Sequence, residues 1–330
     1  MKKQVFLLLI SILSTTAITL SQNNVKIKNH DQVKILTADI DNFWNAFDHL
    51  GRCRDSEDSI SCIKKFYFDK GTDGFKDFIN KYKYTPQDYL DVIHHYPKFF
   101  RSVRKNTLVV KQIKNEFNKF FIKACEYYPD YKPLKICFLI SPLKVGGTST
   151  KDFLLIGTEI IVSTKEADLS EFGDNILGKI LAFDSNVREH LLFIVAHESV
   201  HDLQVHAEFD NYNLLNKSLN EGSADFIAEL FTGVQINHYL YHYGNLHEQE
   251  LWVRYKKALE NKENTDNWMY NYDRVEEGVP ADLGYYMGFR ITAAYYNSHP
   301  DKKQAIHEII EMKNPGEFLE KSGYGREWSK

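Results

Sequence analysis

One pentapeptide and one distant glutamate constrain this chain more than any other feature of its sequence. The residues His-Glu-Ser-Val-His occupy positions 197–201, and after nineteen further residues comes Glu221. Residues four apart share one face of a helix, so His197 and His201 can direct both imidazoles at one cation. The spacer is long enough to end that helix, turn, and begin a second, antiparallel helix. The pattern therefore predicts two packed helices that share a metal site.

The residue types indicate which metal and which chemistry. Two histidines, one carboxylate and an open fourth position are typical of hydrolytic zinc sites. We therefore predict one Zn²⁺ per chain, with His197, His201 and Glu221 as ligands. Glu198 follows the first ligand and can reach a water on the ion without binding the ion itself. We expect Glu198 to be the general base.

Neighbouring residues favour a buried site. The stretch 191–196 is entirely apolar, which predicts a buried helix. Asp225 follows Glu221 by four residues, on the same helical face, and a metal-bound histidine usually donates its other ring N–H to a carboxylate. We predict that Asp225 accepts this hydrogen bond from His197, with Asp202 as a weaker candidate.

The small residues Gly222 and Ala224 would let the two ligand helices approach closely. The alternative is that both histidines lie on an exposed helical face and that Glu221 is a solvated carboxylate. Motif matches of this kind do occur by chance.

Hydrophobic periodicity predicts an α+β fold that is mostly helical, with a small β-sheet before the metal helix. The predicted elements are several short helices over 37–130, strands at 136–140 and 153–162, the motif helix from 187, a helix over 214–230 closed by Gly233, a helix from Pro280 to Tyr296, and a last substantial helix from Asp301. We divide the chain into a leader (1–21), a linker (22–36), a helical region (37–132) and a catalytic region (133–330), the last two forming one compact unit.

The first residues predict export. Lys2 and Lys3 precede an apolar run, and small residues stand before Gln22, which is typical of a secretory signal peptide. The run is short for a membrane anchor and no Cys lies near the expected cleavage point, so we expect an exported, periplasmic or extracellular protein with no membrane span after cleavage.

The four cysteines would then meet an oxidising compartment. They are Cys53, Cys62, Cys125 and Cys137, and three pairings are possible. A Cys53–Cys62 disulfide would close the shortest plausible loop, whereas buried free thiols are an equal alternative for the other two. The formal net charge of −4, without a Lys/Arg-rich run, argues against nucleic acid as a partner.

The motif, its third glutamate and the following aspartate resemble the gluzincin metallopeptidases, the thermolysin-like superfamily. The C-terminal half is more closely similar to a family of predicted bacterial zinc-dependent proteases related to the gliding-motility protein GldB. The segments that carry this resemblance are 155–159, 197–204, 221–226, 250–252, 282–288 and 322–324, with weaker echoes at 41–44 and 71–75.

The resemblance implies a zincin-like (gluzincin) fold and a peptide-binding edge strand. The edge strand would be the segment 153–162, where a substrate would pair by main-chain hydrogen bonds. A plain core strand is the alternative. Glu159 within it would contact a substrate amine or face solvent.

Gluzincins also commonly use a Tyr or His from a later helix to stabilise the oxyanion. Tyr285 and Tyr286 are the candidates, with Tyr286 slightly favoured, and packing aromatics are the alternative. Arg290, four residues after Tyr286, would bind a substrate carboxylate or form a structural salt bridge.

Two functions from different classes remain at this point. The first is a secreted zinc metallopeptidase that hydrolyses peptide or protein substrates with Glu198 as general base. The second is an accessory cell-envelope protein, related to gliding motility, that binds zinc without catalysis. Hydrolysis of a non-peptide amide or ester by the same residues is a third possibility.

Overall fold

The computed structural model describes residues 33–129, 131–204 and 213–328, which contain a four-stranded sheet surrounded by helices. The strands are β1 (Ile35–Leu36), β2 (Lys135–Leu139), β3 (Gly147–Ser149) and β4 (Phe153–Gly157). The α-helices are α1 (Ala38–Leu50), α2 (Ser56–Ile63), α3 (Asp73–Tyr82), α4 (Pro86–His95), α5 (Pro97–Thr107), α6 (Lys114–Tyr127), α7 (Thr158–Ile161), α8 (Ile176–Ile180), α9 (Val187–Leu203), α10 (Leu214–Thr232), α11 (His238–Leu246), α12 (Glu248–Glu260), α13 (Leu283–Ser298), α14 (Lys302–Ile310) and α15 (Pro315–Ser322). A π-helical turn (Lys64–Phe68) continues α2, and short 3₁₀ turns occupy Leu108–Lys111, Thr265–Asn267 and Arg326–Trp328. The fold is α+β and mostly helical, as predicted.

The sheet has the order β1-β2-β4-β3, so the edge strand on the side of the motif is β3. Strands β1, β2 and β4 are parallel, and β3 pairs antiparallel with β4. All five residues of β4 are buried, because the strand has a neighbour on each side and helices on its faces. The prediction that 153–162 is the edge strand is therefore wrong. The strand is interior and ends at Gly157, and the helix α7 takes up most of the remaining segment.

The N-terminal helices cover one face of the sheet. The predicted apolar stripe of α1 is buried through Ile40, Phe43 and Trp44. Helix α3 lies so close to β2 that a Cβ added at Gly74 would lie 2.5 Å from the Cβ of Cys137. Ile35 and Leu36, which fall within the predicted linker, pair with β2 and form β1.

The opposite face of the sheet carries α9, which contacts β3 and β4, and α10 packs against α9. Helix α13 crosses α10 at two glycines. A Cβ at Gly288 would overlap the carbonyl oxygen of Ser218, and a Cβ at Gly222 would overlap the backbone of α13. Gly222 therefore allows a close approach of α10 to α13, not of α10 to α9 as predicted.

The ends of the helices follow local signals. Gly233, in the left-handed region with φ 72°, ends α10, and Asp301 caps α14. The helix expected from Pro280 begins instead at Leu283, because Asp282 adopts a left-handed conformation with φ 63° just before it. A further helix, α15, follows α14.

The predicted leader and most of the linker lie outside the described residues. Among the residues that are described, the structure has no helix with the length and apolar character needed to cross a membrane. All four cysteines are free thiols, and Cys62, Cys125 and Cys137 are buried. Burial, together with the nearby Cys53, raises the pKa of the Cys62 thiol to about 11.

Candidate metal centre

Helices α9 and α10 bring three donor atoms to one point. His197 Nε2 lies 3.0 Å from His201 Nε2, and the Oε2 atom of Glu221 lies 3.4 Å from the first and 3.3 Å from the second. His197 also contacts Asp225, whereas His201, one turn later on α9, contacts Glu221, one turn earlier on α10. The two helices are therefore antiparallel where they meet.

This triangle of donor atoms fits a zinc ion. Two ligands that each lie about 2.0–2.1 Å from a tetrahedral zinc are about 3.3–3.4 Å apart, close to the separations between these three donor atoms. Two imidazoles and one carboxylate are also the donors that zinc accepts in hydrolytic sites. His197, His201 and Glu221 form the candidate ligand set among the residues that the structure describes.

Hydrogen bonds on the far side of each imidazole fix which nitrogen faces the centre. His197 Nδ1 donates to Asp225 Oδ1 at 2.7 Å, the contact suggested by the spacing of Asp225. His201 Nδ1 donates to Gln204 Oε1 at 2.6 Å. With a proton on each Nδ1, both Nε2 lone pairs point at the centre, as metal ligation requires.

Both outer partners are themselves held in place. The Gln204 amide donates to Ser223 Oγ and to the carbonyl oxygen of Asn220, and Tyr241 donates to Asp225 Oδ2 at 3.4 Å. Asp202, the weaker candidate for the contact with a ligand histidine, is exposed and its carboxyl is near Tyr131.

The electrostatics of the cluster favour a positive charge at its centre. Burial opposes charge on His197, but the carboxylates of Asp225 and Glu221 outweigh it and hold the pKa of His197 well above its usual range. The two histidines likewise hold the pKa of Glu221 well below its usual range, against the effect of burial. The same carboxylates would stabilise a metal cation bound between these groups.

The second oxygen of Glu221 is held outside the triangle. Lys217 Nζ lies 2.6 Å from Glu221 Oε1, and the Tyr270 hydroxyl donates to the same oxygen at 3.4 Å. Burial opposes the charge on Lys217, yet Glu221 holds its pKa above the usual value. Only one carboxylate oxygen of Glu221 is therefore directed at the two imidazoles.

Tyr270 reaches this position from a strained loop. Its φ of 54° is uncommon for a residue with a side chain, and its backbone N–H donates to Asp282 Oδ1 at 2.6 Å. The Tyr270 hydroxyl lies 3.1 Å from that of Tyr285. Burial and the charge of Glu221 raise the pKa of both phenols, which keeps them as hydrogen-bond donors.

Of the two predicted tyrosines, the structure brings only Tyr285 to the centre. Tyr286 is buried on another face of α13, where its hydroxyl donates to Asn245 Oδ1 at 3.1 Å. Adjacent residues of a helix point about 100° apart, so only one of the pair can face Glu221. The geometry therefore favours Tyr285 over Tyr286, the reverse of the order predicted from the sequence.

Arg290 also points away from the centre. Its Nε lies 2.7 Å from Glu248 Oε1 on α12, and the same oxygen accepts a hydrogen bond from Tyr324. The guanidinium is thus part of a structural ion pair, the alternative that the sequence left open. Arg290 does not line the cavity beside the centre, so its geometry gives no support to the predicted substrate-binding role.

Glu159 neither meets a substrate nor faces solvent. It is fully buried, and its carboxylate accepts hydrogen bonds from the backbone N–H and the hydroxyl of Ser141. Burial raises the pKa of Glu159 to about 7, although these hydrogen bonds act in the opposite direction.

Glu198 lies against the edge strand. A Cβ added at Gly147 of β3 would lie 2.7 Å from Glu198 Cδ, so only glycine leaves room for this carboxylate. None of the residues that the structure describes forms a hydrogen bond with the Glu198 side chain. Its oxygens are therefore free to interact with a molecule bound beside the centre.

The centre opens into a cavity of about 1010 Å³. Glu198, His197, Tyr270 and Tyr285 all line it, which places the candidate base, one candidate ligand and two phenols around one space. Helix α9 carries His197 and Glu198, α13 carries Tyr285, and the loop before α13 carries Tyr270, so three separate parts of the chain meet at this cavity.

Three residues of the centre were not predicted from the sequence, namely Gln204, Lys217 and Tyr270. Gln204 and Lys217 lie one helical turn from His201 and Glu221, so the same spacing argument that identified Asp225 would have found them. No sequence pattern indicates Tyr270, because a left-handed loop residue carries no periodic signal.

Comparison with known proteins gives one match. The family model described as gliding motility protein GldB matches residues 21–326. No curated protein and no solved structure matches the chain.

Proposed function

The chain belongs to the family of the gliding motility protein GldB, and we propose that the centre on α9 and α10 is the active site of a zinc-dependent metallopeptidase with a zincin-like fold. One observation carries the proposal. His197, His201 and Glu221 converge at zinc-like separations, and Glu198, whose carboxylate has no hydrogen-bond partner among the described residues, lines a cavity together with His197. A purely structural zinc site has four protein ligands and needs no base beside them.

Bound zinc would acidify a water molecule and polarise a substrate carbonyl. Glu198 would take the proton from the water and later deliver it to the leaving nitrogen. Asp225 and Gln204 would hold the two imidazoles in the orientation that ligation needs. Tyr270 and Tyr285 would donate hydrogen bonds to the oxyanion as it forms.

In the part of the chain that the structure describes, no strand pairs with the outer side of β3, and this open edge supports a peptide as the substrate. Residues 146 and 150 hydrogen-bond to β4 through their main chains, so by alternation the main-chain N–H and C=O of Gly147 face away from β4. An extended peptide that pairs with Gly147 would run past Glu198. The carbonyl oxygen of Ser149 accepts a hydrogen bond from Lys81 Nζ, so a peptide would pair chiefly at Gly147.

The test combines zinc content with peptide hydrolysis in three proteins. They are the wild type, Glu198→Gln, and Glu189→Gln, which makes the same chemical change at an exposed position in the first turn of α9. We expect about one zinc per chain in all three. Cleavage of a peptide library should fall about 10²–10⁴-fold in Glu198→Gln alone.

Two results would contradict the proposal in different ways. A folded protein without zinc would remove the metal centre. Zinc in the wild type without hydrolysis of peptides, amides or esters would favour the accessory zinc-binding function, which the gliding-motility description of the family also suggests.

We also propose that the protein acts outside the cytoplasm, in the periplasm or beyond the cell. The predicted leader supports this, and the family match starts at residue 21, where that leader would end. Cell fractionation with N-terminal sequencing of the mature protein tests it. An uncleaved N-terminus in the cytoplasmic fraction would contradict it.

A further inference from the structure

A buried histidine lies in the same cavity, away from the metal centre. His190 precedes His197 by seven residues on α9, so two helical turns, about 10 Å along the axis, separate them. The side chain of His190 is on the cavity wall, and only 2% of the residue is exposed. His190 contributes nothing to the proposed hydrolysis, and its position requires another explanation.

The imidazole of His190 is without a polar partner. Neither ring nitrogen is hydrogen-bonded to any residue that the structure describes, and Nδ1 is shut off from solvent, so Nε2 is the nitrogen that a molecule in the cavity can reach. A buried polar group without a partner costs about 1–3 kcal/mol. Burial lowers the pKa of His190 to about 4, so the ring is neutral near pH 7 and offers one donor and one acceptor.

Most of the cavity-lining residues close to His190 along the chain are apolar, and the two charged ones, Lys179 and Asp184, have exposed side chains. The ring of Phe183 packs edge-on against the imidazole with 4.4 Å between centroids, and Ile180, Phe193 and Ile194 line the same cavity. A charged side chain would lose its water here without gaining a counter-charge from the neutral ring. A ligand that suits this space has a flat apolar body and a neutral polar tip.

We propose that the part of the cavity beside His190 is a substrate subsite that selects tyrosine next to the scissile bond, with His190 Nε2 hydrogen-bonded to the phenolic hydroxyl. The inference rests on the proposed peptidase function. The aromatic body packs against Phe183 and Phe193, which aromatic pairs favour. The two helical turns between His190 and the centre are a distance that a residue backbone and one long side chain can span together.

The test uses pairs of peptides that differ only by Tyr or Phe at the position next to the cleaved bond. For the wild type we expect kcat/KM to be at least about tenfold higher for Tyr, because the Phe peptide leaves His190 unpaired. His190→Phe should bring the ratio close to one. His190→Gln should keep part of it, since an amide can still bond to the hydroxyl.

His242→Phe is the matched control, because His242 is exposed on α11. It should keep the wild-type ratio, and zinc content should be equal in all four proteins. If His190→Phe does not fold, the ratios of the wild type and His190→Gln decide.

The outcomes separate the two proposals. Peptides cleaved with equal kcat/KM for Tyr and Phe, or a ratio unchanged in His190→Phe, would overturn the subsite alone. A zinc-loaded wild type that cleaves none of the peptides would overturn the peptidase function and the subsite with it.

Discussion

Replacing Gly147 with alanine tests how closely strand β3 confines the carboxylate of Glu198. A Cβ at this position would lie 2.7 Å from Glu198 Cδ and 2.9 Å from Cγ, whereas ordinary contact begins at 3.4 Å. Main-chain hydrogen bonds to β4 hold the backbone of β3 on both sides of Gly147. The Glu198 side chain should therefore move, by about 0.7 Å or more.

The cost follows from that displacement. A reacting group misplaced by about 1 Å loses about 100-fold in rate, which corresponds to about 2.7 kcal/mol of activation free energy. We expect Gly147→Ala to lower kcat for peptide hydrolysis by about this factor. Zinc content should stay the same, because the three atoms nearest to the added methyl group all belong to Glu198 and not to a candidate ligand.

The matched control is the neighbouring glycine. A Cβ at Gly146 would meet the Cδ1 atom of Ile161 at 3.2 Å, and the end of a flexible side chain can give way. Gly146→Ala should therefore stay within a few-fold of the wild type. Steady-state kinetics and zinc analysis on both variants complete the assay. A Gly147→Ala protein with the wild-type rate would refute the placement of Glu198 as the base, and loss of zinc would refute the local nature of the effect.

Three further predictions concern the centre and the core. Asp225→Asn should weaken zinc affinity about 10–100-fold in a chelator competition, because His197 loses its charged acceptor; an unchanged affinity would count against that contact. Tyr270→Phe should lower kcat about 10²–10³-fold while Tyr286→Phe leaves it unchanged, and the reverse order would exclude Tyr270 as an oxyanion donor. Burial raises the pKa of Glu159 from 4.5 to about 7, so the folded state holds the extra proton and the free energy of unfolding falls as the pH rises through that window. Urea unfolding should show that the free energy of unfolding is lower at pH 8 than at pH 5 by on the order of 2–3 kcal/mol, and that this difference is absent in Glu159→Gln. The same pH dependence in both proteins would contradict the prediction.

The sequence predicted the helices that carry the candidate ligands because their signals are local. Apolar residues at helical spacing define α9, and Gly233 marks the end of α10. The four-residue spacing of His197 and His201 places both rings on one face whatever the rest of the fold does. The nineteen residues between His201 and Glu221 leave room for a turn and an antiparallel return of the chain.

The edge strand was missed because its signal is weak. Strand β3 has three residues, Gly-Thr-Ser, and no hydrophobic pattern, whereas β4 is apolar throughout and drew the prediction to itself. Which of two strands lies at an edge depends on the chain that pairs beside it. Periodicity within one strand does not contain that information.

The choice between Tyr285 and Tyr286 depended on a helix rotation that the sequence does not fix. Gly288 meets Ser218, and this contact sets which face of α13 is turned toward α10. The same rotation of α13 directs Arg290 toward Glu248. Tyr270 reaches the centre through a left-handed turn held by Asp282, a pairing between residues twelve apart that no short motif records.

The crossing of α10 and α13 also sets an order of assembly during synthesis. Glu221 stands next to Gly222, which lies against the backbone of α13, and α13 begins only at Leu283. A nascent chain, or one truncated before that residue, contains all three candidate ligands but lacks the helix that supports the third. We therefore expect the candidate metal centre to be complete only after the C-terminal part of the chain has been made and α13 has packed against α10.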